Sequence, residues 1–248
     1  IHITSLIPDG TEPHDFQPTT KTMQALSKAD ILIYNSTGME RWVEQATQAA
    51  ANPKLVIVEA SKDTDRISLT EADEIRAHGQ YDPHTWLSLS CAQTEVKNIA
   101  EALAAADKTN ADFYRKNAAE YNQKLQALLA AYQKKFSKLE QKDFVTGHAA
   151  FAYLCRDFGL QQQSIEDVFA SGEPSAQNLA KLTAYCKEHN VKTIFVEEAV
   201  SPKTSETLAR EVGATTQEIY TIESSNGEKT YLTRMEENLD AIYKSLKK

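Results

Sequence analysis

The 248-residue chain has few of the residues that would indicate a disulfide scaffold, a nucleotide site or a membrane span. Its three cysteines, Cys91, Cys155 and Cys186, include no Cys-x-x-Cys pair, so neither a disulfide framework nor a thiolate zinc site is indicated, and we interpret all three as small buried apolar residues. Only 8 glycines are present and none forms a phosphate loop, which argues against nucleotide binding. No apolar run approaches the roughly 18 residues of a membrane helix.

Basic residues are also fewer than acidic ones, and this limits the kinds of partner that the protein is expected to bind. Lys and Arg number 27 against 35 Asp and Glu, a formal net charge of −8 with a pI near 5.3. Such a chain repels nucleic acid and anionic membrane surfaces, and a cation is the better-matched ligand. The acidic surplus is equally what keeps an ordinary protein in solution. With 41% hydrophobic and 25% charged residues, a folded core is expected.

The order of apolar runs and helical periods predicts two α/β lobes. In the first lobe, strands are expected at 3–7, 31–34 and 55–58 and helices near 19–29 and 40–51, which is typical of parallel βαβ units. The charged stretch 61–80 lacks apolar periodicity and is predicted to be a loop. In the second lobe we expect strands at 144–146, 194–196 and 218–222 and helices near 149–158, 175–189, 203–212 and 230–246.

A long helix is predicted between the lobes. From Cys91 to about Leu139 there is no proline or glycine, and apolar residues recur three or four apart. A helix over 110–139 would be roughly 45 Å long at 1.5 Å per residue. The predicted organisation is an N-terminal α/β lobe at 1–109, a linking helix at 110–139 and a C-terminal α/β lobe at 140–248.

Three of the six histidines stand in distinctive short contexts. His14 lies in EPHDF, His84 in YDPHTW and His148 in TGHAAF, with spacings of 84 − 14 = 70 and 148 − 84 = 64 residues. Imidazole is the commonest protein ligand of zinc, and such spacings are too long for a local zinc finger. If these side chains meet, the fold must bring distant parts of the chain to one ion.

Each context suggests how its imidazole is presented. His14 is expected on a loop leaving the first strand, where open α/β sheets bind ligands. His84 follows Asp82-Pro83, a stiff turn before a helical region, and Asp82 is a candidate to orient the ring. His148 follows a strand and Gly147, which allows close backbone approach. We expect it at the mouth of the next helix, whose N-terminus would favour the neutral ring.

Taken together, the segments of the chain resemble the metal-binding solute-binding proteins of ABC transporters, the zinc/manganese cluster. The resemblance covers nearly the whole sequence and is carried by LIPDGTEPHDFQPT (6–19), KADILIYN (28–35), YDPHTWLS (81–88), GHAAF (147–151), GEPS (172–175) and IFVEE (194–198). It implies two βα lobes with parallel sheets, joined by one long backbone helix, with the metal site in the interlobe cleft. It also implies that members begin earlier, with a signal, often a lipid-carrying cysteine, and a first strand and helix that are absent from this sequence.

The resemblance implies a ligand set of His14, His84, His148 and a carboxylate on the loop after strand 218–222, which nominates Glu223. Water, or one of Glu197 and Glu198, remains an alternative fourth ligand; that glutamate pair is otherwise expected to include one structural carboxylate that binds backbone amides. Manganese-selecting relatives tend to have a carboxylate where this chain has His148, and imidazole matches zinc better than manganese. His78 is what remains of a His-rich acidic loop and is a candidate for transient metal contact, whereas His2 and His189 are assigned to structure or surface.

The implied function is capture of Zn²⁺ outside the cytoplasm and its delivery to an ABC permease. The protein would be periplasmic or held at the cell surface by an N-terminal lipid anchor, with no nucleic-acid partner. A manganese or iron carrier on the same scaffold, an added adhesin role and a zinc-dependent hydrolase remain alternatives, since three histidines plus water also form a catalytic zinc site. No His-Glu-x-x-His helix and no Gly-x-Ser-x-Gly elbow supports the hydrolase, and we predict that the protein is not an enzyme.

Overall fold

The computed structural model describes residues 1–11, 13–36, 38–170, 175–198, 201–223 and 229–247. Glu12, the GEP part of the GEPS motif (172–174) and the SSNG segment (224–227) lie outside the described residues. The chain divides into two units, Ile1–Ala127 and Leu128–Lys248. None of the helices in the described ranges is long and apolar enough to cross a membrane.

The first unit is built around a small parallel sheet. Strands β1 (Ile31–Tyr34) and β2 (Val56–Glu59) pair in parallel, with Ile31 opposite Val56. The helices are α1 (Thr20–Leu26), α2 (Val43–Ala50), α3 (Ala72–His78) and α4 (Leu89–Ala106). Leu26, Leu32, Val43 and Ala46 form a core cluster between α1, α2 and β1. A capping box between Thr19 and Thr22 starts α1, as the predicted helix start at Pro18-Thr19 requires.

The second unit carries a four-stranded parallel sheet in the order β4-β3-β5-β6. Its elements are β3 (Asp143–Thr146), α6 (Ala152–Phe158), β4 (Gln161–Ser164), α7 (Ala176–Glu188), β5 (Thr193–Glu197), α8 (Lys203–Val212), β6 (Thr215–Ile219) and α9 (Tyr231–Leu246). Val145 and Ile194, from the two central strands, are fully buried against Leu182 of α7 and Leu208 of α8. The predicted second βα series is confirmed, except that β4 was not predicted and β6 lies three residues before the predicted 218–222.

The long helix α5 spans Ala111–Phe136, or about 39 Å at 1.5 Å per residue. Fully buried Leu125 and Phe136 belong to the apolar stripe predicted from the three- and four-residue spacing. The expected α/β architecture, with two lobes, parallel sheets and one long helix, is confirmed. Because the division between the units falls inside α5, the separation of 110–139 as a linking segment stays a prediction.

Three local predictions were wrong. No strand forms at 3–7, because none of the described strands pairs with this segment, and Ile1 and Ile3 are 81% and 85% exposed. The stretch 61–80 contains α3, a surface helix with no buried residue, which has acidic residues in its first turn and Arg76 and His78 in its last, an arrangement that suits the helix dipole. Strand β4 was missed because its sequence, QQQS, has no apolar pattern.

Candidate metal centre

Two of the predicted ligands, His14 and His84, meet within the first unit. Their Nε2 atoms lie 3.3 Å apart, and the ring centroids are 5.2 Å apart with the planes inclined at 67°. His14 lies in a single 3-10 turn, Pro13–Asp15, rather than on a loop leaving a strand, and it is partly buried. His84 is fully buried at the start of a second 3-10 turn, Thr85–Leu87, just before α4, as the Asp-Pro-His turn predicts.

The separation of the two nitrogen atoms suits a shared zinc ion. A tetrahedral ion with Zn–N bonds of about 2.0–2.1 Å holds its ligand nitrogens about 3.3–3.4 Å apart. The rings of His14 and His84 already have this spacing, with the nitrogens converging and the planes edge to face. Without an ion, one Nε2–H···Nε2 hydrogen bond keeps the pair together. The pair therefore has a spacing compatible with two ligands of one zinc ion.

Asp82 fixes the orientation of the His84 ring. Its Oδ1 atom accepts hydrogen bonds from the backbone N–H and from Nδ1 of His84, both at 2.9 Å, and both side chains are buried. Because a carboxylate only accepts, the Nδ1 atom must carry hydrogen, and in the neutral ring the lone pair is left on Nε2. The orienting role predicted for Asp82 is confirmed.

In the second unit, His148 follows β3 and lies against Glu197 at the end of β5. Its backbone N–H donates to Glu197 Oε1 at 3.0 Å, and its Nδ1 lies 3.6 Å from the same oxygen. A Cβ on Gly147 would overlap the Glu197 carboxylate. Only glycine therefore lets β3 and β5 approach closely enough at this point, which confirms the reason for Gly147.

The predicted position of His148 at the start of the next helix was wrong. Helix α6 begins only at Ala152, with Phe151 as its N-cap, so His148 precedes the helix by four positions. Instead the ring lies between two carboxylates, with Glu223 Oε1 3.8 Å from Nε2.

Glu223 is placed by a backbone segment that Glu198 holds. The Glu198 carboxylate accepts hydrogen bonds from the N–H groups of Thr221 at 2.8 Å and Ile222 at 3.0 Å. Ile222 has a φ of +58°, a left-handed conformation that is an outlier for a β-branched residue. Burial raises the pKa of Glu198, while the backbone hydrogen bonds lower it in part. The Glu223 side chain is 5% exposed, so it is held inside the protein beside His148.

Both carboxylates of the adjacent pair Glu197-Glu198 therefore bind backbone amides, where one was predicted. Glu197 accepts from the N–H of His148, and both oxygens of Glu198 are used by the segment before Glu223. Each carboxylate thus supports one of the two candidate ligands of the second unit.

The sequence profile described as zinc-uptake complex component A, periplasmic (ZnuA), matches residues 1–245. The chain belongs to the ZnuA family. It is 42% identical to the high-affinity zinc uptake system protein ZnuA of Bacillus subtilis (strain 168), over 97% of this chain and 79% of that protein.

Solved structures agree with this family membership. The mutant structure of the laminin-binding adhesin Lmb of Streptococcus agalactiae has a TM-score of 0.89 at 34% identity, covering 97% of this chain and 90% of that one. The Zn(II)-bound mutant variant of AdcAII of Streptococcus pneumoniae has a TM-score of 0.87 at 33% identity, covering 96% and 87%.

The other histidines of this ZnuA-family chain have surface or structural positions, as predicted for two of them. His2 contacts Thr4 at the exposed start of the chain. His189 is the C-cap of α7, stacked on Tyr185 with ring centroids 4.1 Å apart. His78 ends the solvated helix α3, and its transient metal contact stays a prediction.

Sequence reasoning missed the buried polar residues beneath the His84 turn. Asn35, Thr85 and Glu95 form a hydrogen-bonded chain there. Thr85 and Glu95 are ten residues apart, and a glutamate in the middle of α4 resembles a solvated helix residue in sequence. A polar residue at a core-facing position of the helical period is the signal that could have found it.

Proposed function

We propose that this ZnuA-family chain captures Zn²⁺ outside the cytoplasm and delivers it to an ABC permease. The proposed ligands are His14, His84, His148 and Glu223, all acting on one ion. Three imidazoles and one carboxylate form a chemically suitable tetrahedral set for zinc. Family membership supports the transport role, because the matching profile is that of a zinc-uptake component.

The observation that carries the proposal is the His14–His84 pair. Two imidazole nitrogens 3.3 Å apart, one with its tautomer fixed by Asp82, form half of a tetrahedral zinc site before any ion binds. The second unit supplies the other two proposed ligands, the His148 imidazole and the Glu223 carboxylate, with Nε2 and Oε1 3.8 Å apart. Binding one ion with both halves would couple metal capture to the relative arrangement of the two units.

Zinc is favoured over manganese by the donor atoms. Manganese prefers carboxylate, carbonyl and water oxygens, whereas the proposed set is three-quarters imidazole. The family is one of solute-binding transport proteins, and we extend this to propose that the chain has no hydrolytic activity. The two carboxylates nearest His148 support this proposal, because Glu197 is occupied with a backbone amide and Glu223 is assigned to the ion.

Calorimetric titration combined with thermal unfolding tests the proposed function. One zinc ion per chain should bind, and at a free concentration about a thousandfold above the dissociation constant it should stabilise the fold by about 4 kcal/mol. His14→Ala, His84→Ala and His148→Ala should each remove most of this gain, with His189→Ala as the matched control. If His148→Ala binds zinc as tightly as the wild type, the four-ligand proposal is wrong. If Mn²⁺ displaces Zn²⁺ at equal concentration, the metal assignment is wrong.

A further inference from the structure

A series of hydrogen-bonded polar side chains, two buried and one partly buried, ends in the first unit on the turn that carries His84. The amide nitrogen of Asn35 donates to the carbonyl oxygen of Pro83 at 2.7 Å, and the Oδ1 atom of Asn35 lies 3.1 Å from the hydroxyl of Thr85. The same hydroxyl lies 2.6 Å from Oε1 of Glu95, on α4. Thr85 is 2% and Glu95 8% exposed, so solvent has little access to these contacts.

The hydrogen atoms in the hydrogen bonds between Asn35, Thr85 and Glu95 can be assigned from donor and acceptor chemistry. A carbonyl oxygen only accepts, so the Asn35 amide nitrogen faces Pro83 and its Oδ1 atom faces Thr85. Oδ1 also only accepts, so for both contacts of Thr85 to be hydrogen bonds its single hydroxyl hydrogen must go to Asn35. The hydrogen in the 2.6 Å contact then comes from the Glu95 carboxyl group, because the hydroxyl cannot donate to both oxygen atoms. An ionised Glu95 would leave one of the two oxygen–oxygen contacts of Thr85 without a hydrogen.

We propose that Glu95 is a positioning residue for His84 and that it acts as a neutral carboxylic acid. Its proton completes the hydrogen-bond chain that holds the carbonyl of Pro83, the residue before His84. That carbonyl also accepts from the N–H of Thr85 at 2.8 Å, and Asp82 holds the His84 ring from the other side. The inference rests on the proposed function, because the purpose of holding this ring is zinc binding.

The surroundings of Glu95 favour the neutral form. Burial raises the pKa of its carboxyl to about 7, and the negative charge of Glu40 adds to this; a hydrogen bond donated by the Thr85 hydroxyl would lower the pKa, but in the assignment above the carboxyl group is the donor. Glu40 itself is partly buried, and its carboxylate accepts from the N–H groups of Asn35 and Ser36. The elements beside this part of α4 carry these titratable or charged groups: Glu40, Glu59, Arg66, Asp82 and His84.

The test compares Glu95→Gln with the wild type at pH 6 and pH 8.5. A glutamine N–H can donate to the Thr85 hydroxyl at any pH. The variant therefore keeps this hydrogen bond at high pH, where ionisation of Glu95 would break it in the wild type. Zinc affinity is measured by competition with a chelator. At pH 6 the two proteins should bind zinc within about twofold of each other, and at pH 8.5 Glu95→Gln should bind on the order of tenfold more tightly. Glu101→Gln, the same change at an exposed site of α4, should behave as the wild type at both pH values.

Two further variants separate positioning from charge and from folding. Thr85→Val removes the middle link without removing a titratable group, so it should weaken zinc binding at pH 6 and abolish the effect of adding Glu95→Gln. If the Glu95 charge instead attracted zinc, Glu95→Gln would bind more weakly at pH 8.5, and the proposal would be wrong. At pH 6 the wild type should show the infrared carbonyl band of a protonated carboxyl group, and Glu95→Gln should lose that band. If the variant keeps the band, the proposal is wrong. If the wild type binds no zinc, the proposed function fails, whereas zinc binding with an identical pH profile in both proteins overturns only the role of Glu95.

Discussion

Replacing Gly147 by alanine should damage the support of His148 without removing any ligand. The added Cβ would overlap the Glu197 carboxylate, with its Cδ at 3.0 Å and Oε1 at 3.1 Å, and the buried carboxylate has no solvent to move into. Displacing it leaves the His148 N–H without its acceptor, which costs about 1–3 kcal/mol. Overpacking adds about 1–3 kcal/mol. We therefore expect Gly147→Ala to lower the free energy of unfolding by about 3 kcal/mol.

Urea unfolding of the metal-free protein measures this loss, and chelator competition measures the accompanying change in zinc affinity, which we expect to be at least tenfold. Gly38→Ala is the control, because a Cβ there meets its neighbours at ordinary distances of 3.5 Å or more. A Gly147→Ala protein as stable as Gly38→Ala, with unchanged zinc affinity, would refute the argument that close approach to Glu197 positions His148.

Three other changes test the supporting residues. Asp82→Asn should weaken zinc binding about 10- to 100-fold in chelator competition, because the hydrogen on His84 Nδ1 loses its carboxylate acceptor. If the variant binds zinc as tightly as the wild type, Asp82 does not contribute to zinc binding. Glu198→Ala should lower the free energy of urea unfolding by about 2–3 kcal/mol, because two backbone N–H groups lose their acceptor. The carboxyl pKa of Glu95 is about 7 when folded against an ordinary value of 4.5, so its stabilising contribution is complete below pH 4.5 and is lost as pH rises towards 7. Metal-free Glu95→Gln should thus gain about 3 kcal/mol relative to the wild type over this pH interval, and parallel stability profiles would contradict that pKa.

Much of the fold was predictable because its elements have strong local patterns. Helix α8 has the predicted bounds, Lys203–Val212, and ends at Gly213 with a φ of +70°, the usual left-handed C-cap. The apolar strands β1 and β5 were also found at or within a residue of their bounds. Strand β4 was not, because QQQS is held in the sheet by pairing with β3, a long-range contact that leaves no periodicity in sequence.

The candidate site was predictable where a short motif carries it. His84 and its partner Asp82 are two residues apart, so their contact could be read locally. The role of Glu95 could not, because its burial and the neutral form of its carboxyl follow from packing against the His84 turn. The environment of His148 was mispredicted for a similar reason, since Glu197 reaches it from a neighbouring strand 49 residues away.

The central claim is that imidazoles from widely separated segments bind one zinc ion, and X-ray absorption at the zinc edge tests it most directly. The one-to-one complex should show about four nitrogen or oxygen ligands at about 2.0–2.1 Å, with outer-shell scattering from three imidazoles. His148→Ala should lower the number of imidazole ligands to two. A wild-type spectrum with a single imidazole, or one that His148→Ala leaves unchanged, would contradict the account.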